Sequence, residues 1–363
     1  MIDKPKKPLR RGWTTGACAL AATKAAYTAL LTGSFPDPIG ISLPKGQRPF
    51  FPLAFEGKGK GYAQVGIVKD AGDDPDVTHG ALIVVTVREG AMGNGVSFQA
   101  GEGVGTVTLP GLPLAVGEPA INPRPREMIK EAVSLLAAQH GHSGNIVVEV
   151  SVPDGVGLAE KTWNGRLGIK GGLSILGTTG IVRPFSCSAW IHSIHRGIDV
   201  ARANNVVHVG ACTGSTSEAA VRLKYELPES SMLDMGDFVG GTLKYLRRYP
   251  IERITIGGGF AKLSKLGQGN LDLHSGRSQI DLDWLATLAI RLSAKDKAIQ
   301  QIYNANTAME VLSIALKNKI PLANLVATEA RMIAMGVLSK TPVAVEVLIF
   351  DRSGELVGSA NGW

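Results

Sequence analysis

From residue 173 onward, short β-branched runs alternate with helical stretches, and three of the runs end in glycine clusters. The runs are 173–176, 206–209 and 253–256, followed by Gly177 to Gly180, Gly210 to Gly214 and Gly257 to Gly259. Adjacent parallel strands need a long crossover, and the intervening helices supply it. This rhythm predicts an α/β domain with a mainly parallel sheet and glycine-rich βα loops. Helices are expected over 187–203, from Ser215 and over 237–248, with mostly helical chain from 281 to 338. Ser215 with Glu218, and Thr307 with Glu310, have capping-box spacing. A hairpin over 343–360, turning at Ser353 and Gly354, can pair with either half of the chain.

The first half reads as mixed α+β. A helix opens at Thr14 or Thr15, which can cap it, and runs through small residues to Tyr27. Strands follow at 62–69, 81–88, 106–109 and 145–152. A further helix starts near Pro125 and stops at His140 and Gly141, a C-cap signal. The polar, glycine-rich stretch 153–168 is the expected linker. The expected division is therefore an N-terminal α+β domain over 1–155 and a C-terminal α/β cofactor-binding domain over 165–363.

The composition excludes several classes. Hydrophobic residues make up 44% and charged residues 19% of the chain, which is globular and not disordered. No apolar run approaches the ~18 residues of a membrane helix. The basic start (Lys4, Lys6, Lys7, Arg10, Arg11) has no apolar stretch behind it as a secretory signal would. Cys18, Cys187 and Cys212 are too widely spaced for a redox pair or a disulfide framework, which fits a reduced, cytoplasmic protein. The formal net charge of +7 serves a small polyanionic substrate or is simply a basic surface. Aromatics at 6% and dispersed basic residues give no nucleic-acid recognition motif.

Four segments carry chemistry in this pattern. The glycine clusters allow close backbone approach to a nucleotide-like cofactor, or are tight turns only. None has a Walker Gly-Lys-Ser/Thr, and none completes the dinucleotide fingerprint with its spaced acidic residue. Asp70, Asp73, Asp74, Asp76 and His79 crowd one inter-strand loop. Crowded carboxylates raise one another's pKa, which suits acid–base work, while a solvated acidic turn is the alternative. Asn122, Arg124 and Arg126 stand in a proline-stiffened loop that can recognise carboxylates or cap nearby carbonyls. Lys262 and Lys265 follow a strand end and can meet an anion or lie on the surface. His192 and His195 have helical spacing but no third metal ligand near them in sequence.

Taken together, five motifs resemble the CbiD family of cobalamin biosynthesis. They are Thr14-Thr-Gly-Ala-Cys18, the stretch from Lys69 to Gly80, and Gly103-Val-Gly-Thr-Val-Thr108 with Pro119-Ala-Ile-Asn-Pro123. The remaining two are the run from Gly171 to Val182, and Gly269-Asn-Leu-Asp272. The chain departs from the family pattern at 210–214 and 258–262. The resemblance implies S-adenosylmethionine-dependent methylation of C1 in cobalt-precorrin-5B, giving cobalt-precorrin-6A. The partner it implies is an anionic cobalt-corrinoid intermediate, with cobalt held by the ring and no protein metal site. Contacts with other corrin-pathway enzymes and a homo-oligomer are left open.

On this reading Gly177, Thr178, Thr179, Gly180, Gly210, Thr213 and Gly214 contact the cofactor. Asp70, Asp73, Asp74 and His79 form the acid–base or substrate-positioning edge. Asn122, Arg126, Lys262 and Lys265 meet substrate carboxylates. A non-catalytic corrinoid carrier and a phosphate-binding transferase using 210–215 as an anion cradle are the competing classes.

Overall fold

The computed structural model describes residues 8–363; Lys4, Lys6 and Lys7 of the basic start lie outside them. The chain divides into two compact units between Ser186 and Cys187.

The first unit contains β1 (Gly12–Trp13), α1 (Thr15–Thr32), β2 (Ile39–Gly40), β3 (Phe50–Phe51), β4 (Phe55–Gly59), β5 (Tyr62–Val68) and β6 (Leu82–Glu89). It continues with β7 (Val96–Ala100), β8 (Thr106–Val107), α2 (Pro123–His140), β9 (Ile146–Ser151), α3 (Gly155–Ala159), β10 (Ile169–Lys170) and β11 (Ile181–Val182). Its main sheet has the order β4-β5-β6-β9-β7, antiparallel except for β7 against β9. Alternation puts Ala63, Val65 and Ile67 of β5 directly opposite Val87, Val85 and Ile83 of β6, all buried. α1 packs on β5, β6 and α2. It is buried almost all round, and seven of its buried residues are alanines, so its backbone can come close to the sheet. Thr14 is the N-cap, as the sequence predicts, and α2 ends at Gly141 in the left-handed conformation.

The second unit contains α4 (Cys187–Ala203), β12 (His208–Cys212), α5 (Ser215–Tyr225), β13 (Met232–Asp234), α6 (Val239–Arg248) and β14 (Arg253–Gly259). Then come α7 (Phe260–Gly267), α8 (Leu282–Arg291), α9 (Asp296–Tyr303), α10 (Ala308–Lys317), α11 (Leu322–Leu338), β15 (Ala344–Phe350) and β16 (Leu356–Ala360). The sheet order is β13-β12-β14-β15-β16, with only β16 antiparallel. From β12 the chain steps to β13 on one side, then crosses back to β14 on the other. That reversal makes a topological switch between the carboxyl ends of β12 and β14, where open α/β sheets bind ligands.

Four expectations change. Residues 173–176 are not a strand of the parallel sheet. Leu173 and Ile175 make single bridges to Val104 and Ile121 of the first unit. Ile169–Lys170 pairs with β8 and Ile181–Val182 with β1, so residues 165–186, expected at the start of the second domain, fold with the first. The polar stretch 153–168 is a turn-rich part of that unit, because its glycines close against it: a Cβ on Gly155 would meet Gly103 O at 2.3 Å. The C-terminal hairpin joins the second unit's sheet through β14 and β15. At α5 the N-cap is Gly214 and Ser215 is already helical, so the first capping box does not form there. At the second, Thr307 Oγ1 accepts from Glu310 N–H at 3.1 Å as expected, while the Glu310 carboxylate accepts from Asn306 N–H, one residue before the cap, at 2.8 Å.

Candidate functional site

In the first unit, residues 10–15 are the strip on which the motifs meet. On one side Trp13 N–H donates to Asp70 O at 2.7 Å and Asp73 N–H to Arg10 O at 3.0 Å. On the other, Thr14 N–H donates to Gly180 O at 3.0 Å and Gly16 N–H to Leu176 O at 2.9 Å. Thr15 Oγ1 accepts from Leu176 N–H at 2.9 Å. The approach to the acidic loop requires glycine at position 12, since a Cβ there would lie 2.0 Å from Ala71 C. The 119–123 motif joins behind: Ile175 N–H donates to Ala120 O at 2.8 Å and Asn122 N–H to Ile175 O at 2.9 Å.

Every carboxylate of the acidic loop has a donor. Arg10 forks onto Asp70, with Nη2 to Oδ1 at 2.9 Å, and Gly72 N–H donates to the same oxygen at 2.9 Å. The Arg10 and Gly72 donors hold the Asp70 carboxyl down to about 2. Asp73 accepts from Arg10 N–H at 2.6 Å, and Asp74 from Phe185 N–H at 2.8 Å. Burial opposes ionisation of Asp76, yet the buried Lys69 ammonium at 2.7 Å and Thr78 together hold it below its ordinary value. The expectation that crowding raises these pKa values is therefore reversed at Asp70 and Asp76, where a cation stands closer than the neighbouring carboxylates. His79 Nδ1 accepts from Ala71 N–H at 3.0 Å and lies 3.8 Å from Asp70 Oδ1. Burial pushes the Cys18 thiol up to about 12, which leaves it inert.

Arg126 serves the fold. Its guanidinium donates to Ile121 O at 2.7 Å, Pro119 O at 3.0 Å and Glu118 Oε1 at 3.1 Å, so the carbonyl-capping alternative describes it. Asn122 is the N-cap of α2 without a side-chain cap bond. Arg124 pairs with Glu127 at 2.8 Å on the exposed helix surface. Gly177, Thr178, Thr179 and Gly180 form the first unit's turn over α1, not a βα loop of the parallel sheet. Gly177 has φ +128°, and a Cβ there would lie 2.3 Å from Thr14 Oγ1.

In the second unit the loops at the switch are tied together. Thr213 N–H donates to Gly257 O at 2.9 Å. Lys262 Nζ donates to Thr213 O at 2.8 Å and stands 3.0 Å from Asp237 Oδ1. Lys265 is buried and donates to Leu273 O at 3.0 Å; burial lowers its pKa. It thus anchors the 269–278 loop, where the sequence reading had it meet substrate. Leu273 N–H donates to Asp237 O at 2.9 Å, and Asp272 pairs with Arg277 at 2.5 Å. Gly210 lies inside β12 and is packed against Met232, because the strand runs on to Cys212; it does not face the switch. Thr213 and Gly214 do follow the strand end, and a Cβ on Gly214 would meet nothing within 4 Å.

His192 and His195 lie on α4, where burial lowers both pKa values; the His195 ring stacks on Tyr245 at 3.9 Å. Among the described residues no three His, Cys, Asp or Glu side chains are grouped to hold a metal. Sequence reasoning missed Arg10 and Asp237. Arg10 was visible only as one of the five basic residues clustered at the start of the chain. Asp237 follows β13, and three residues carry no readable period.

The CbiD family profile matches residues 2–184, and the profile described as "CbiD, C-terminal domain" matches residues 272–361. A Brucella anthropi protein named cobalt-precorrin-5B C(1)-methyltransferase is 60% identical over 98% of this chain and 96% of its own length. Proteins of the same name from Brucella canis and Brucella suis are 59% identical over 97% of this chain and 96% of theirs. A crystal structure of the cobalamin biosynthesis protein cbiD from Archaeoglobus fulgidus is 24% identical, with a TM-score of 0.40, covering 86% of this chain and 85% of its own.

Proposed function

The chain belongs to the CbiD family, and from that premise we propose that it is an S-adenosylmethionine-dependent methyltransferase acting on C1 of cobalt-precorrin-5B. The observation that carries this is the 60% identity, over 98% of the chain, to a relative of that name. The product is cobalt-precorrin-6A, in corrin ring assembly, and cobalt belongs to the substrate.

The second unit suits the cofactor. The strand ends at the topological switch present backbone at Thr213, Gly214 and Gly259, and a Cβ on either glycine would enter open space. A cofactor carrying both an adenosine and a charged amino-acid end needs such backbone access together with a few fixed charges. The Lys262 and Asp237 pair supplies one of each sign beside Thr213. S-adenosylmethionine, when bound, supplies an electrophilic methyl group. Thr213, Gly214, Lys262 and Asp237 would hold and orient it, so that the methyl group is positioned for transfer.

The first unit offers the substrate-positioning edge. The acidic loop, held by Arg10 and Lys69, presents Asp70, Asp73, Asp74 and His79 as a positioning edge. Asp70, held down to about 2, stays ionised at neutral pH and orients donors instead of delivering a proton. The exposed Thr178 stands on the turn at the other side of the same strip.

The test is transfer of a labelled methyl group from S-adenosylmethionine to cobalt-precorrin-5B, with calorimetric titration by S-adenosylhomocysteine and ATP. Labelled product together with binding of S-adenosylhomocysteine but not ATP is expected. Corrinoid binding without transfer would replace the enzyme by a carrier, and ATP binding would favour the phosphate-binding transferase.

A further inference from the structure

We infer that His79 is a hydrogen-bond donor of fixed tautomer, offering Nε2–H to a carboxylate of the bound substrate, and is not the base of the reaction. The inference rests on the reading of the first unit as the substrate side. A backbone amide can only donate, so the 3.0 Å bond from Ala71 N–H requires a lone pair on Nδ1. The proton of the neutral ring then sits on Nε2. Ala71 is fully buried, and giving up this bond would leave its amide without a partner away from water. The ring is also placed by its own backbone: His79 N–H donates to Asp76 O at 3.0 Å, and Gly80 N–H to Lys69 O at 2.8 Å.

The charged groups around the ring do not oppose this tautomer. Asp70 Oδ1, 3.8 Å from Nδ1, already accepts from Arg10 and Gly72. Asp76 is paired with the buried Lys69 at the base of the loop. With both nearby carboxylates supplied with donors, nothing calls for Nδ1–H. The His79 side chain is 54% exposed, and with Nδ1 engaged by Ala71 N–H the ring nitrogen left for a ligand is Nε2. A general base needs a free lone pair at the atom that takes the proton, and the exposed edge has none. It has a neutral donor, which a carboxylate-bearing substrate can use without the cost of burying another charge.

Two substitutions separate the two ring nitrogens. His79→Asn keeps an acceptor near the Nδ1 position; His79→Gln keeps a donor near the Nε2 position. Binding of cobalt-precorrin-5B is followed by absorbance titration without S-adenosylmethionine, alongside nitrogen-15 spectra of histidine-labelled wild type. The expected result is an unprotonated Nδ1 and protonated Nε2 for His79, near-native binding by His79→Gln with a lowered unfolding temperature because Ala71 N–H loses its acceptor, and about tenfold weaker binding by His79→Asn. Native binding by His79→Asn with weak binding by His79→Gln would make the residue structural and overturn the inference. So would equal binding by both, an Nδ1–H tautomer, or unchanged binding with turnover lost in both, which is the signature of a base. Failure of the wild type to transfer methyl would overturn the proposed reaction alone, because the binding comparison does not depend on turnover.

Discussion

Lys69 Nζ lies 2.7 Å from Asp76 Oδ2, with the lysine side chain 1% exposed and the aspartate 26% exposed. The two sides of this pair are unequal. Removing the carboxylate strands a cation in the interior, whereas removing the cation leaves a carboxylate with Thr78 donors and some water. Asp76→Ala is therefore expected to cost about 3–5 kcal/mol and Lys69→Met less, roughly 2 kcal/mol. Urea midpoints of the two variants check the order, and equal losses would contradict it.

Asp70 ties stability to acid pH. Its folded pKa is depressed to about 2 by Arg10 and Gly72. A depressed carboxylate contributes stability that is complete above its unfolded value and lost as pH falls through the folded one. The contribution is thus full above about pH 4 and disappears as pH falls towards about 2. The Asp70 side chain is 42% exposed, so solvent and salt screen the pair with Arg10. Asp70→Asn should flatten the stability profile across that window, most visibly at low ionic strength. An unchanged slope would show that Arg10 does not hold Asp70 in solution.

Two glycines should respond to alanine to different degrees. A Cβ at Gly177 meets Thr14 Oγ1 at 2.3 Å from a backbone at φ +128°. Gly177→Ala displaces the cap of α1 and is expected to cost about 2–3 kcal/mol from strain and lost capping. Gly214→Ala adds a methyl group to open space and should cost under about 1 kcal/mol, the difference between Gly and Ala as an N-cap. If the cofactor approaches that backbone, the same change should weaken S-adenosylhomocysteine binding by about tenfold or more. Thermal unfolding and calorimetry read the two effects separately.

Arg126 makes three contacts with its own loop, to Ile121 O, Pro119 O and Glu118 Oε1. Lysine cannot reproduce that planar fork. Arg126→Lys should lower stability by about 2 kcal/mol. Any loss of substrate affinity should then track the loss of loop order. A variant of native stability with weakened substrate binding would restore Arg126 as a direct substrate contact.

Much of this was legible locally. Thr14 as a cap, the alanine-rich helix behind it, the stop at Gly141, α4 over Cys187–Ala203 and the second capping box all depend on neighbours within a turn or two. The parallel sheet was legible because its strands alternate with helices. The acidic loop was visible as composition, but its electrostatics were not. Those depend on Arg10, 60 residues away in sequence, and on the burial of Lys69.

The assignment of residues 165–186 shows where local reading ends. A β-branched run before a glycine turn has the same appearance whichever sheet receives it. Leu173 and Ile175 find bridge partners at Val104 and Ile121, and that choice is made by backbone hydrogen bonds between distant segments. Likewise, only the tertiary structure decides that Gly210 is packed inside a strand while Gly214 stands at its open end, or that Lys265 is buried while Lys262 reaches Thr213. The sequence by itself determined the alternation of the second unit, several helix caps and the family. The fold decided which side chains keep a free edge for chemistry, because burial and pairing are properties of what lies across space, not along the chain.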